Sequence, residues 1–155
     1  MLNNSKASLI FALEAAFTAI ATKLGLAALP FKAVDQPTAL GSFPCATLSP
    51  LNLGLPGHES ISGFQIDLMV ENTKGGTTDE GTADGICQLL FEQLHLLSGE
   101  PGSCWISQKD FSKPGNPHVG WLEMRTLTGW GPGGFNSRPG LIHRRIQIEI
   151  QYRNF

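Results

Sequence analysis

The sequence has little charge for its length. Its 155 residues include 11 Lys and Arg against 13 Asp and Glu, which gives a formal net charge of -2. A dedicated nucleic-acid-binding protein usually carries a broad basic surface, and this composition does not provide one. With 41% hydrophobic residues the chain is long enough to bury a core, so we predict a single domain over residues 1–155.

Cysteine and histidine are sparse and widely spaced. Cys45, Cys87 and Cys104 form no C-x-x-C pair and have no histidine at zinc-finger spacing, which predicts free thiols in a reducing compartment. The four histidines lie far apart without a carboxylate cluster, which predicts no metal site. Cys87 and His95 would be about 12 Å apart along one helix, too far for a catalytic dyad. A pair formed across the fold by Cys104 and His118 stays open.

Other candidates for chemistry are weak. Glycine-rich stretches near residues 74 and 130 lack the residue order of a phosphate-binding loop. Arg144 and Arg145 are adjacent on a predicted strand, so their side chains point to opposite faces. We therefore expect no enzyme and no cofactor, with a small cysteine-dependent enzyme as a less favoured alternative. A single-strand-binding groove would need Arg144 or Arg145 to group in three dimensions with other arginines and with aromatic residues. These are Arg125, Arg138, Arg153, Trp121, Trp130 and Phe135.

The apolar N-terminal segment superficially resembles a secretory signal. Glu14 interrupts its apolar stretch, and Lys23 followed by Gly25 is typical of an ordinary helix end. A membrane span needs roughly 18 uncharged apolar residues, and no run reaches that length. We expect neither a signal peptide nor a membrane-spanning segment.

Apolar periodicity predicts two helices. The first runs for about 20 residues from a start signal at residues 4–5 to Gly25, and Phe11 and Phe17 are expected to widen its apolar face. The second begins where Thr77 opens a capping box and ends before residue 99. The apolar faces are lined by Leu9, Leu13, Ala16, Ile20 and Leu24 in the first helix and by Ile86, Leu90, Leu94 and Leu97 in the second.

Alternation of apolar and polar residues predicts strands in "SGFQIDLMVEN", "GWLEMRTLT" and "LIHRRIQIEIQYRNF", with shorter strands in "CATLSPL" and "SCWIS". In the last strand Arg144 is the exception on an otherwise apolar face. The order of helix, strands, helix and strands favours an α+β fold. We expect a mainly antiparallel β-sheet with two α-helices packed on one face and long irregular loops.

The last strand is long for so small a domain. Its 13 or so residues extend about 44 Å, against a diameter of about 39 Å for a compact domain of this length. The strand must therefore cross the whole domain, bend, or project from it. Four irregular stretches, 26–43, 49–60, 108–118 and 129–140, are also longer than typical connections of about four to six residues.

Several of these stretches contain apolar residues that a single subunit would leave exposed. A closed ring of subunits would bury them, and aromatic and arginine side chains are typical interface anchors. The hairpin 121–153 and its tip 129–140 are therefore expected in subunit contacts. The predicted interface residues are Phe31, Phe43, Trp130, Phe135, Arg138, Arg144 and Tyr152.

The order of elements, and above all the alternating "RRIQIEIQYR" near the C-terminus, resembles the tail terminator proteins of tailed bacteriophages, also called tail-tube terminators or neck-ring proteins. The resemblance covers nearly the full length but rests on architecture, because the family has no diagnostic motif. It implies a virion structural protein of the tail or neck, assembled in the host cytoplasm. Such a protein forms a ring, commonly a hexamer, that stops tail-tube polymerisation and offers the head-docking surface.

The partners that the resemblance implies are further copies of the chain, the tail-tube protein and the head connector or head-completion protein. DNA would pass through the lumen without specific binding, and no membrane is implied. The alternative within the same class is another neck component, such as a head-completion or head–tail joining protein.

Overall fold

The computed structural model describes residues 2–36, 40–41, 44–51, 61–71, 77–98, 104–132 and 141–153. Side chains are described within these ranges except at 2–4, 61–62, 77–80, 95–98, 104, 127–132, 141 and 152–153. The helices are α1 (Leu2–Leu24) and α2 (Thr77–Ser98). The strands are β1 (Phe31–Ala33), β2 (Cys45–Leu51), β3 (Ile61–Glu71), β4 (Cys104–Lys109), β5 (His118–Pro132) and β6 (Leu141–Arg153).

The six strands form one curled sheet in the order β1-β2-β3-β6-β5-β4. Only the pairing of β1 with β2 is parallel, and all other described neighbours are antiparallel. The predicted α+β class with a mainly antiparallel sheet is confirmed.

The first helix ends where its sequence predicts. Gly25 has a φ of +66°, a conformation that glycine adopts without the steric cost of a Cβ. The Leu26 N–H donates to the Ala21 carbonyl at 2.9 Å, and the Gly25 N–H donates to the Thr22 carbonyl at 3.3 Å. This is a Schellman C-cap, which satisfies two carbonyls that the helix end would otherwise leave unpaired.

By length and composition, α1 could cross a membrane, since Ser5–Leu24 has a mean hydropathy of 1.5. The expectation of no such segment counted only uncharged runs and missed this. One side of α1, formed by Leu9, Leu13, Phe17 and Ile20, is buried in the core. Packing within the chain thus buries 33% of this apolar window.

The first face of the sheet is apolar and contacts both helices. On it, Phe64 lies opposite Ile148, and Val70 lies opposite Ile142. Ala83, Ile86, Leu90 and Leu94 of α2 are buried against this layer. Because side chains alternate along a strand, the isoleucines of β6 reach the core only at even positions, as the sequence predicts.

The long last strand lies inside the sheet. β3 pairs with it from Ile61↔Gln151 to Glu71↔Leu141, and β5 pairs with it from Trp121↔Arg153 to Pro132↔Arg144. Neighbours on both sides satisfy its backbone groups along this length, so β6 does not project from the domain. Register shifts between Thr126 and Gly131 mark irregularities in the β5 pairing.

The connections are shorter than the sequence predicted. β1 lies inside the stretch 26–43, and β5 continues to Pro132, so Trp130 belongs to a strand rather than to a loop tip. β4 and β5 are joined by the turn 110–117, where Asp110 Oδ1 accepts a hydrogen bond from the Ser112 N–H at 3.0 Å. Apolar periodicity could not detect β1, because a strand of three residues is too short to show an alternation.

Candidate assembly surface

Phe31, a predicted interface residue, is directed into the subunit. It lies in β1, is half-buried, and stacks on Phe17 of α1 with ring centroids 5.2 Å apart. It pairs with Ala46 in register and so lies on the apolar face of the sheet. Phe31 therefore contributes to the packing of α1 on the β1 edge.

Arg144 also makes contacts within the chain. It lies opposite Leu68 on the apolar face and is half-buried. Its Nε is 3.6 Å from Asp84 Oδ1 of α2, and its Nη1 donates to the His143 carbonyl at 3.5 Å. The exception to the apolar alternation thus links β6 to α2.

The other predicted interface residues are described in part or not at all. Trp130 and Tyr152 lie in β5 and β6, with Tyr152 opposite Leu122, and their side chains lie outside the described part. Phe43, Phe135 and Arg138 lie outside the described residues. Of the predicted set, the strands that hold Phe31 and Arg144 are three sheet positions apart, or about 14 Å at 4.8 Å per strand.

A different surface exposes aromatic side chains. We call the surface formed by Phe11, Lys109, Phe111, His118, Val119 and Trp121 the aromatic band. The rings of Phe11 and Phe111 lie 5.9 Å apart, and Lys109 Nζ lies 5.5 Å from the Phe11 ring. The rings of His118 and Trp121 lie 4.6 Å apart. Lys109 is opposite His118 in the β4–β5 register, so the two aromatic pairs lie at the same end of the hairpin.

The aromatic band is held in place by α1 and the β4–β5 hairpin. The Lys109 N–H donates to Ser8 Oγ of α1 at 2.9 Å, which fixes the helix beside this end of the hairpin. The Ser107 hydroxyl of β4 and His118 Nδ1 of β5 form a hydrogen bond across the hairpin. The exposed fractions of the large apolar residues are 44% for Phe11, 50% for Val119 and 39% for Trp121. Clustered exposed apolar residues of this kind commonly mark an interaction surface.

Sequence reasoning missed this surface because it placed Phe11 with the core residues. That expectation is correct for Phe17, which is buried, and wrong for Phe11. At 100° per residue, Phe17 lies about 80° from Leu9 around the helix, whereas Phe11 lies about 200° away, on the opposite side. A helical-wheel projection of α1 would have detected the difference.

The second face of the sheet carries a buried polar cluster. Asp67 Oδ1 accepts hydrogen bonds from His143 Nε2 at 2.6 Å and from Arg145 Nε at 2.8 Å. The Asp67 carboxylate is fully buried, and the His143 side chain is almost so. Among the described residues, Asp67 Oδ2, Thr47 Oγ1 and Ser49 Oγ have no hydrogen-bond partner. Thr47 lies directly opposite Asp67 on the neighbouring strand.

Part of this face is covered by the connection between β1 and β2. Parallel neighbouring strands need a connection that returns along one face of the sheet. The Leu40 backbone hydrogen-bonds the Cys45 thiol, and Cys45 shares the second face with Thr47. Leu40 in this connection therefore lies beside the second face, opposite the helices.

The two described thiols are not poised for nucleophilic attack. Burial raises the pKa of Cys87 to about 12, with a nearby Arg144 guanidinium lowering it only in part. Burial likewise raises the pKa of Cys45, against a lowering effect of the Leu40 hydrogen bond. Cys104 and His118 lie at opposite ends of the β4–β5 pairing, about 17 Å apart at 3.4 Å per residue. Over the described residues, no group of three or more His, Cys, Asp or Glu is arranged to hold a metal.

The arginines proposed for a nucleic-acid groove have acidic neighbours. Arg125 pairs with Glu123 at 2.9 Å, and Arg145 pairs with Asp67 at 2.8 Å. These contacts reduce the positive charge that each guanidinium can offer to a phosphate. Arg138 and the side chain of Arg153 lie outside the described part.

Comparisons with known proteins find chains of similar fold but identify no family. No family model and no curated protein matches the chain. Eight solved chains match it. One of these, which carries no family or functional name, aligns over 100% of this chain and 97% of its own length, with a TM-score of 0.52 and 13% identity. At this identity the likeness concerns the fold alone.

Proposed function

We propose that the chain is a ring-forming virion structural protein, a tail terminator that caps the phage tail tube. In this role it stops tube polymerisation and provides the surface on which the head docks. The resemblance in the order of elements suggested this function, and the aromatic band is the observation that carries it. A subunit that exposes Phe11, Val119 and Trp121 around the end of the β4–β5 hairpin has apolar surface suited to burial by another protein.

A buried thiol and two ion pairs weaken the competing functions. The high pKa of the Cys87 thiol is unfavourable for a cysteine-dependent enzyme, because the thiolate is the reactive form. The acidic partners of Arg125 and Arg145 are unfavourable for a nucleic-acid groove. None of these features opposes an assembly function.

The test is the mass of the purified protein, measured by native mass spectrometry and light scattering, followed by end-on electron microscopy. We expect a closed ring of defined stoichiometry, most simply a hexamer, alone or on addition of the tail-tube protein from the same genome. A strict monomer at every concentration, with no ring on tail tubes, would overturn the proposal. Binding to the head connector instead of the tube would identify another neck component.

The segment 129–140, which the sequence predicted to contact neighbouring subunits, has its own test, although Trp130 lies in β5. Replacement of Trp130 and Phe135 by Ala should weaken assembly and leave the subunit folded, as measured by light scattering and circular dichroism. An unchanged oligomer would remove these two residues from the interface.

A further inference from the structure

Three buried oxygen atoms on the second face of the sheet have no partner within the chain. Ser49 Oγ, Thr47 Oγ1 and Asp67 Oδ2 belong to residues that are 0% exposed, and none of the three makes a hydrogen bond in the described part of the structure. A buried polar atom without a partner costs free energy, so each one in a folded protein needs a physical explanation. None of these atoms takes part in the proposed function, so their partner can be sought independently of it.

The Asp67 carboxylate is satisfied on one oxygen only. Its Oδ1 accepts from His143 Nε2 at 2.6 Å and from Arg145 Nε at 2.8 Å, whereas no described group donates to its Oδ2. A carboxylate oxygen accepts hydrogen bonds, so the missing partner must be a hydrogen-bond donor or a cation. The Arg145 guanidinium already balances the charge of Asp67, and a second buried positive charge would be unpaired. A small neutral donor therefore fits Oδ2 better than a metal ion.

Ser49 lies at a distance from Asp67 that a bridging water molecule spans. In the β2–β3 register Thr47 is directly opposite Asp67, and Ser49 is the diagonal neighbour of Asp67 on the same face. Diagonal neighbours have Cα atoms about 7–8 Å apart, a separation that one water molecule with two hydrogen bonds of about 2.8 Å can bridge. Directly opposite residues are only about 5 Å apart, which leaves less room for water between Thr47 and Asp67. Ser49 is therefore the better placed of the two hydroxyls.

A polar row leads from Ser49 toward the half-buried part of the second face. Gln65 of β3 lies opposite Ser49, and Gln147 of β6 lies opposite Gln65. Gln65 is 8% exposed and Gln147 is half-buried, so the row becomes more exposed toward β6. Amide side chains both donate and accept hydrogen bonds, which suits the passage of water. The surroundings of Ser49 and Asp67 are thus polar, as an internal water site requires.

We propose that an internal water molecule donates one hydrogen bond to Asp67 Oδ2 and forms a second with Ser49 Oγ. The water completes the hydrogen bonds of the buried carboxylate and connects β2 to the polar cluster of β3 and β6. A hydrogen-bonded chain then crosses three neighbouring strands, from Ser49 on β2 through Asp67 on β3 to Arg145 on β6. This chain forms in one alignment of the strands only, because a slip by one residue would move Ser49 to the other face. The water is a structural ligand that fixes the register of β2 on β3.

The sign of the stability change in Ser49→Ala tests the bound water. If the water is present, the substitution removes one of its partners, and we expect the equilibrium constant for folding to fall about tenfold in urea denaturation. Without a bound water, the same substitution removes an unpaired hydroxyl and should raise stability, which is the change expected for Thr47→Val. A gain of stability in Ser49→Ala similar to that in Thr47→Val would overturn the proposal.

Two further measurements identify the occupant of the site. A crystal structure at high resolution should show one water oxygen within about 3 Å of both Asp67 Oδ2 and Ser49 Oγ, and a site without that water would contradict the proposal. Urea denaturation of the wild type in sodium, potassium and choline chloride at equal ionic strength should give the same midpoint. A higher midpoint in sodium or potassium chloride, absent in Ser49→Ala, would identify a bound cation and also overturn the proposal. None of these results depends on ring formation.

Discussion

Both faces of the sheet are largely buried along β2 and β3, and the second face is half-buried along most of β6, but the residues on the two faces differ in character. On the first face, apolar residues such as Ile66 and Ile148 pack beneath the helices. On the second, Asp67, His143 and Arg145 form a hydrogen-bonded cluster, and Met69 lies opposite His143. The first face is stabilised by the area it removes from water, whereas the second depends on whether each polar group keeps its partner.

The first face should show the largest loss on truncation. Phe17→Ala removes a fully buried ring that also stacks on Phe31, and we expect the free energy of unfolding to fall by about 4 kcal/mol. Urea denaturation measures the change. Phe11→Ala on the same helix is the matched control, because the exposed Phe11 ring should contribute much less. Equal losses for the two variants would contradict the assignment of Phe11 to the surface.

On the second face, removal of a single charge should lower the free energy of unfolding nearly as much. Asp67→Asn keeps the shape but removes the charge that Arg145 and His143 face, and we expect a loss of about 2–3 kcal/mol. Asp84→Asn is the control, since its exposed contact with Arg144 should contribute less than about 1 kcal/mol. If both variants unfold at the same urea concentration, the buried cluster does not stabilise the fold.

Removal of an unpaired hydroxyl on the second face should instead raise the free energy of unfolding. Thr47→Val replaces the buried, unpartnered Oγ1 by a methyl group of similar size, and we expect a gain of up to about 1 kcal/mol. Thr126→Val, at an exposed strand position, should change stability little. A clear loss at Thr47 would show that its hydroxyl has a partner such as a buried water molecule.

The alkylation rates of Cys87 and Cys45 give a further comparison of the two faces. In a Cys104→Ser background at pH 8, Cys87 in the core beside the helices should be alkylated more slowly than Cys45, whose Leu40 hydrogen bond opposes the effect of burial on its pKa. Mass spectrometry of timed reactions gives both rates. Faster alkylation of Cys87 than of Cys45 would reverse the expected order.

The raised pKa of Cys87 also makes stability depend on pH. The thiol has an ordinary pKa of 9.0, and burial raises this to about 12 in the folded chain. The unfolded chain therefore loses its proton first, and the free energy of unfolding should fall as pH rises from about 9 to about 12. Cys87→Ala should remove this part of the alkaline loss.

Local signals predicted most of the elements. The capping pattern at Gly25 and the apolar period of Leu9 and Leu13 depend on neighbours within a few residues, and α1 follows them. Alternation in β3 and β6 likewise predicted which residues face the helices. β1 and the far end of β5 were missed, since one is very short and the other continues into a glycine- and proline-rich stretch.

The candidate interface was harder to predict. Aromatic residue type alone favoured Phe31, which the fold turns onto Phe17, and did not select Trp121 or Phe11, which the fold leaves exposed. Exposure depends on which segments pack together, and the pairing of α1 with the β4–β5 hairpin joins residues about a hundred positions apart, as in the contact of Lys109 with Ser8.

The sequence by itself determined the helices, the main strands and the apolar side of each, because these follow from periods and caps within short segments. Only the tertiary structure placed β6 inside the sheet, buried the polar second face and brought the aromatic band together. The physical reason is range: alternation distinguishes two faces of a strand, but burial of either face depends on chain segments that are distant in sequence. Leu40 beside Cys45 and Arg145 beside Asp67 are contacts of that kind.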